Sequence, residues 1–489
     1  MIKNLIKDMT KYLPSIIAPA IAGLIALPII TRLFSPTDYG NYILVTTTVS
    51  LISSVAIGWL DSIVRFFPVY EAKAKLGEFY NTTLIFSAIS IIVMSLLFLS
   101  VLFLIKDGIS ANLFSLMSLG VSVFIATSCF QVFRSFLRVK RQVVWYSYFT
   151  VWHSMAGLCI GVVLVFLFHL GIEGLLWGKF LSIAIILPLL YSLSIGMGVS
   201  IRKGVSIPMA SEMARYGFPM MVTFFTFWFL SFSDRYILEF FRGSEEVGIY
   251  SVSYGLSEMT ITSLLSVFIM ASGPISMHIW EKQGSLVSQE FLTKLTRYII
   301  LICLPAVVGL SLLAKPIISV MAATAYYKGY KIIPIIAFGF FFNSIAYSFA
   351  LVFGYVKRTY ISMIAAAVSA FLNLGLNFLL IPKYGYTAAA ITTLICYSVY
   401  LFLMVIFSRR FLVWKFPFKS LVKVTCASVI MAIILYPIGN SLTSSALINL
   451  IVAISVGVIV YSIMLFLLGG FQKNEIDFLL ALGRKVIRH

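Results

Sequence analysis

The chain has 489 residues, 61% of them hydrophobic and only 11% charged, and its 36 Lys and Arg against 17 Asp and Glu give a net charge of +19. A water-soluble chain of this length would carry about a quarter charged residues, so the solvent for most of this one is lipid. Apolar runs such as "LIFSAISIIVMSLLFLSVLFLI" are twice the length of the ~10-residue alternating strands of a membrane barrel, and they suit helices that cross a ~30 Å hydrocarbon core.

The first run follows Lys3, Lys7 and Lys11 as a signal peptide would, but it is long, contains Pro14, Pro19 and Pro28, and lacks a small-x-small cleavage site. It reads as a retained first span. In chain order, fourteen spans are expected near 12–33, 42–67, 80–105, 112–137, 143–169, 171–197, 214–240, 248–278, 291–313, 332–356, 360–381, 384–408, 418–437 and 445–468. With the N-terminus inside, 27 of the 36 basic residues fall on the cytoplasmic side, eight fall outside, and Lys179 falls within a span. That bias sets the orientation: both termini and 409–419 cytoplasmic, 243–247 and 438–443 outside. The positive charge then anchors the chain to anionic lipid. Spread over eight segments, it does not suggest nucleic acid as a partner. Cys129, Cys159, Cys303, Cys396 and Cys426 all lie in apolar runs, without a CxxC, and read as packing thiols.

A short signal is written twice. "SPTDYGNY" contains Asp38, Gly40 and Tyr42, and "SEEVGIY" contains Glu246, Gly248 and Tyr250, an offset of 208. "HLGIEGLLWGK" and "KYGYTAAAITT" align Gly171 with Gly385 at offset 214, and Lys140-Arg141 and Lys357-Arg358 precede corresponding spans. A repeat of about 210 residues and six spans follows. Six is even, so the copies run parallel, related by an axis along the membrane normal. The expected organisation is a six-helix lobe at 1–200, a second at 201–410, and two added helices with a cytoplasmic tail at 411–489. Pro36 and Gly40 are expected to make a tight turn between spans.

"TRLFSPTDYGNYILVTTTVSLISSVAIGWLDSIVRFFP" resembles the opening of the bacterial polysaccharide-biosynthesis transporters, the O-antigen and lipid-linked oligosaccharide flippases. "YGFPMMVTFFTFWFLSFSDRYILEFFRGSEEVGIYSVSY" and "FLNLGLNFLLIPKYGYTAAAITTLICY" resemble later signatures of that family, with one departure, Thr387 in place of a Gly. The resemblance implies the multidrug/oligosaccharidyl-lipid/polysaccharide exporter fold, two lobes in a V around a central cavity. It implies movement of an undecaprenyl-diphosphate-linked glycan from the inner to the outer leaflet of the bacterial inner membrane. It also implies pathway partners such as a polymerase and glycosyltransferases, and no enzymatic chemistry or organic cofactor. Coupling to H+ or Na+ is left open.

Ionisable residues within spans cost ~2.5–3.5 kcal/mol each to insert, which makes them functional candidates. Lys179 is the strongest for an anion contact, because no acid lies within a turn and Glu173 is six residues away. Asp61 and Arg65, spaced i, i+4, read either as cavity groups or as a self-neutralising pair. Arg134 and Arg138 either meet the diphosphate at the inner mouth or serve as anchoring charges. Glu258 reads as a buried acid or a structural one. Asp234 and Arg235 are candidates for a gate or lobe interface, and Asn373 and Asn377, on one helix face, for helix–helix glue. His153 and His278 read as packing residues, and no metal site is expected. The rivals are a multidrug exporter or peptidoglycan-precursor exporter of the same superfamily, and a membrane enzyme such as a polymerase.

Overall fold

The computed structural model describes residues 2–196, 204–438, 446–472 and 475. The expected outer segment at 438–443 and the cytoplasmic tail lie almost wholly outside the described residues. Every regular element described is a helix. The first compact unit, Met1–Gly248, holds α1 (Ile2–Leu33), α2 (Pro36–Ile57), α3 (Ile63–Ala72), α4 (Leu76–Leu104), α5 (Ala111–Val139), α6 (Val143–Leu167), α7 (Glu173–Ile195) and α8 (Ile207–Arg242). The second, Ile249–His489, holds most of α9 (Ser244–Leu312), then α10 (Ala314–Met321), α11 (Ile333–Tyr355), α12 (Tyr360–Ser408), α13 (Phe418–Ile438) and α14 (Ala446–Leu467). The spatial division thus leaves α8 packed with the first unit, against α2 and α4, whereas the repeat assigns it to the second copy.

Ten of the described helical stretches are long and apolar enough to cross a membrane. Two of them are far longer than one crossing needs: α9 has 69 residues and α12 has 49. At ~1.5 Å per residue these exceed ~100 and ~70 Å. Each is broken at a glycine in the left-handed region, Gly284 (φ 79°) and Gly385 (φ 57°), a conformation glycine adopts without steric cost. Each therefore has length for two crossings. Helix faces follow lipid as solvent. On α4, Phe98 and Leu102 are buried while Leu96, Phe103 and Leu104 are exposed.

The segment around Gly40 is not the tight turn expected from its composition. Ser35 caps α2, its Oγ accepting from Asp38 N at 3.2 Å, and Pro36 opens the helix, where its missing N–H costs nothing. Gly40 sits inside α2 for another reason. A Cβ there would lie 1.9 Å from the Ser244 carbonyl oxygen, and a Cβ on Gly248 would lie 2.0 Å from the Pro36 carbonyl oxygen. Pro36 and Ser244 are themselves 208 positions apart, as Gly40 and Gly248 are. The starts of α2 and α9 therefore make a reciprocal contact, residue for residue, within the first unit. Both glycines are required because backbone meets backbone. The same ending also occurs twice. After α5, Arg141 N bonds Arg138 O and Gln142 N bonds Leu137 O; after α11, Lys357 N bonds Gly354 O and Arg358 N bonds Phe353 O. Arg141 (φ 55°) and Lys357 (φ 57°) both take the left-handed conformation, which completes a Schellman cap in each case.

In the second unit, α13 and α14 pack together and are tied to α9. Tyr461 Oη donates to Leu301 O at 2.7 Å, and Arg297 donates to Gly470 O at 2.8 Å and to both carboxylate oxygens of Glu475. Those hydrogen bonds hold the Glu475 carboxyl well below its usual range, at about 2.

Candidate functional site

Small residues position Lys179. Gly157 and Gly161 on α6 face Gly174 and Gly178 on α7, each pair spaced four apart. A Cβ on Gly178 would lie 2.4 Å from Gly161 Cα, so these helices touch backbone to backbone, the small-xxx-small packing of membrane helices. Close packing leaves the α7 side chain next to Gly178 beside the bare backbone of Gly157, whose Cβ would lie 3.6 Å from Lys179 Cα. There Lys179 enters a cavity of about 280 Å³ inside the first unit, between α1, α2, α6 and α7. Tyr42 and His153 line the same cavity. The Lys179 ammonium stands 4.9 Å from the centre of the Tyr42 ring, a cation–π distance. Among the described residues no carboxylate reaches ion-pair distance of Lys179. His153 packs its ring on Phe130 at 5.0 Å, and its buried Nδ1 has no hydrogen-bond partner.

Asp61 and Arg65 are not paired. The i, i+4 reading assumes an unbroken helix, but α2 stops at Ile57 and residues Gly58–Ser62 form a 3-10 turn before α3. That turn is pressed on α8, where a Cβ on Gly217 would lie 2.6 Å from Trp59 Cα. Asp61 lines a separate cavity of about 150 Å³ with Gln131 and Ser135. Arg65 lies exposed over the Tyr216 ring at 4.7 Å.

The other candidates are spread over both units. Arg134, half-buried between α5 and α6, stacks on Phe130 and Tyr146 at 5.4 and 5.2 Å and reaches Thr150 Oγ1 at 3.4 Å. Arg138 is exposed at the end of α5. Beside it Lys140 lies 5.2 Å from the Tyr80 ring, and burial pushes its ammonium below the usual range. Asp234 and Arg235, 1% and 3% exposed, bond each other at 3.1 Å, and Arg235 also donates to Ser231 O. Glu258 is half-buried on α9. Asn373 and Asn377 are fully buried. Asn377 donates to Asn373 Oδ1 at 2.9 Å and accepts from Thr392, so they join the two halves of α12 around Gly385. Among the described residues no group of three His, Cys, Asp or Glu could hold a metal.

The family model described as polysaccharide biosynthesis protein matches residues 29–328. The chain belongs to this family. The matched stretch contains Gly40, Asp61, Arg134, Lys179, the Asp234–Arg235 pair and Glu258; Asn373 and Asn377 lie beyond it. The chain is 22% identical over 304 residues to a probable low-salt glycan biosynthesis flippase of Haloferax volcanii, covering 60% of this chain and 64% of that protein. It is 29% identical over 204 residues to an uncharacterised membrane protein of Methanocaldococcus jannaschii, covering 40% of this chain and 38% of that one. Both matches thus span less than two thirds of the relative. A lipid II flippase in an inward closed conformation superposes with a TM-score of 0.72 at 17% identity, over 93% of this chain and 98% of that one, which shows a shared fold. The Haloferax protein and the superposed structure are named as flippases and the Methanocaldococcus one as a membrane protein; the apolar helices of this chain likewise make it a multi-pass membrane protein.

Tyr42 and His153 join the site without having been singled out for it. Tyr42 ends the repeated acid-x-Gly-x-Tyr signal, so a cue existed. His153 carried none, because its relation to Lys179 comes from the α6–α7 packing.

Proposed function

We propose that this protein carries a polyprenyl-diphosphate-linked oligosaccharide, a repeat unit of O-antigen or another surface polysaccharide on undecaprenyl diphosphate, from the inner to the outer leaflet of a bacterial cytoplasmic membrane. It does so by alternating access, with fourteen spans, both termini inside, and two six-helix lobes flanking a cationic cavity. The family match carries the reading. The disposition of charge supports it: Lys179, Arg65 and Arg134 are held by aromatic rings rather than by carboxylates, so their charge stays available to an anion. Lys179 attracts the diphosphate or an acidic sugar, Arg65 and Arg134 take part in its passage, and Arg138 meets it at the inner mouth. Asp61 and Glu258 complete the polar lining. The Asp234–Arg235 pair and the Asn373–Asn377 pair hold helices in the register that opening and closing require. No covalent bond changes, so the protein's task is to shield charge and hydroxyls from hydrocarbon.

Deletion of the gene tests this reading. The account expects loss of surface glycan with accumulation of the lipid-linked unit on the cytoplasmic side, restored by the wild-type chain. Unchanged surface glycan in the deletion strain, with no redundant transporter, overturns it.

A further inference from the structure

The segment "RRFLVWKFP", Arg409 to Pro417, joins α12 to α13. Both helices are apolar enough to cross a membrane, so the segment lies at a membrane face. It forms one wall of a cavity of about 440 Å³ inside the second unit, completed by α11, the end of α12 and the start of α13. Aromatic rings brace that wall: Trp414 packs on Phe349 at 4.9 Å, Phe416 on Trp414 at 6.4 Å and Phe418 on Phe416 at 4.8 Å. A methylene takes about the room of a water, ~30 Å³, so the cavity holds roughly fifteen carbons, one acyl chain. An undecaprenyl chain is several times too large for it. Among the described residues Arg409 is the one charged side chain that lines the cavity. It is exposed and reaches no carboxylate. Arg410, Lys415 and Lys419, all exposed, add charge of the same sign on flanking residues. From residue 291 to 474 the chain has 14 Lys and Arg and no Asp or Glu, so the ligand that suits this mouth is negative.

We infer that this cavity is the seat of an anionic glycerophospholipid of the surrounding membrane, with one acyl chain against the aromatic wall and its phosphate on Arg409. A guanidinium suits a phosphate because its planar N–H groups bond two oxygens at once, and basic pockets between membrane helices hold anionic headgroups. A zwitterionic lipid fits less well, since its own cation would face a cluster of bases. This is a single saturable site, distinct from the diffuse attraction of a basic surface to acidic lipid. The inference stands apart from the flippase reading, because the ligand is a resident lipid and binding is measured with no glycan lipid present.

The test titrates delipidated full-length protein in detergent with dipalmitoyl phosphatidylglycerol or dipalmitoyl phosphatidylcholine and counts bound lipids by native mass spectrometry. The expected result is one phosphatidylglycerol bound several-fold tighter than any that follow, and no such first site for phosphatidylcholine. Arg409→Gln should weaken that first lipid roughly five- to tenfold, the loss of a charged hydrogen bond. Val405→Trp puts an indole into the cavity and should weaken it as much with Arg409 intact. Lys331→Gln, an exposed lysine elsewhere in the second unit, should match wild type. Equal binding of the two lipids by wild type, or a first site that survives either Arg409→Gln or Val405→Trp, overturns the inference. Inorganic phosphate that displaces the lipid would make this a site for a free anion, and undecaprenyl phosphate that displaces it at lower concentration would assign it to the transported lipid; either result overturns the resident-lipid seat. If Arg409→Gln does not fold, wild type and a phosphatidylglycerol with a photoactivatable acyl chain decide: crosslinks to Phe349, Trp414 or Phe416 support the seat, and crosslinks only elsewhere overturn it.

Discussion

Gly40→Ala is a one-carbon change with a large expected cost. The new Cβ lies 1.9 Å from the Ser244 carbonyl oxygen, 2.9 Å from its carbon and 3.1 Å from Gly248 N. All three are backbone atoms, so no side chain can rotate away and the helix crossing must open by about 1 Å to restore normal contact. Overpacking of this kind costs about 1–3 kcal/mol, and rigid backbone on both sides places it at the upper end. Alanine returns at most ~1 kcal/mol through helix propensity, leaving a net loss of about 2 kcal/mol. Gly248→Ala meets Pro36 O at 2.0 Å and should cost the same. In the double variant a single opening of the crossing admits both methyls, so its loss should stay well short of the sum, a coupling expected for residues in contact. Gly255→Ala is the control: it is also inside α9, nothing lies within 4 Å of its Cβ, and it should be neutral or stabilising. Thermal unfolding in detergent, read by tryptophan emission, gives all four values. Gly40→Ala as stable as Gly255→Ala, or a double variant that is fully additive, would refute the close-contact reasoning.

Lys179→Ala should lower surface glycan several-fold at equal protein level, since an ion pair ~4 Å apart at an effective dielectric of ~20 is worth about 4 kcal/mol before desolvation. Lys179→Arg should keep part of the activity and Lys179→Glu should be worst; export by the Glu variant at the wild-type rate would remove Lys179 from the path. Asp234→Asn leaves the Arg235 charge buried without its carboxylate and should destabilise by about 3 kcal/mol or more, seen as a lower melting midpoint; an unchanged midpoint would mean that the pair is dispensable. Glu475→Gln should loosen the hold on α13 and α14. Because Arg297 depresses the Glu475 carboxyl, its contribution is complete above the ordinary value of 4.5 and is lost as pH falls through about 2. The gap in midpoint between wild type and Glu475→Gln should therefore be constant from pH 7 to 5 and shrink in stronger acid, and a gap that grew on acidification would contradict the assignment. A single Cys at 245 in a chain lacking the native five should react with an impermeant maleimide in intact cells, and one at 415 only after permeabilisation; the reverse pattern would invert the topology.

Membrane residence, helical class and family were legible in the sequence, because the length of apolar runs and the sparse charge leave no other solvent or secondary structure. Local spacing carried less far. Asp61 and Arg65 share a face only on an unbroken helix, and the break at Gly58–Ser62 accommodates α8, more than 150 residues on, which no local pattern records. Gly40 was visible as a special position, but a Gly beside Pro and Asp suggests a turn. Its partner backbone at Ser244 is 204 positions away, and only the reciprocal contact explains why glycine is needed. The isolation of Lys179 from acids could be read from spacing along α7. That Tyr42 and His153 face it could not, since it depends on how closely Gly157 and Gly161 let α6 approach α7.

The central claim is that the protein moves a lipid-linked glycan between leaflets. The most direct measurement uses proteoliposomes containing the purified protein and a polyprenyl-diphosphate oligosaccharide with a labelled sugar, probed by an impermeant glycosidase. The account predicts that the protein raises the fraction of label cleaved beyond the half exposed in protein-free vesicles, and that Lys179→Glu does so slowest. Cleavage that stays at one half with folded wild-type protein would contradict it.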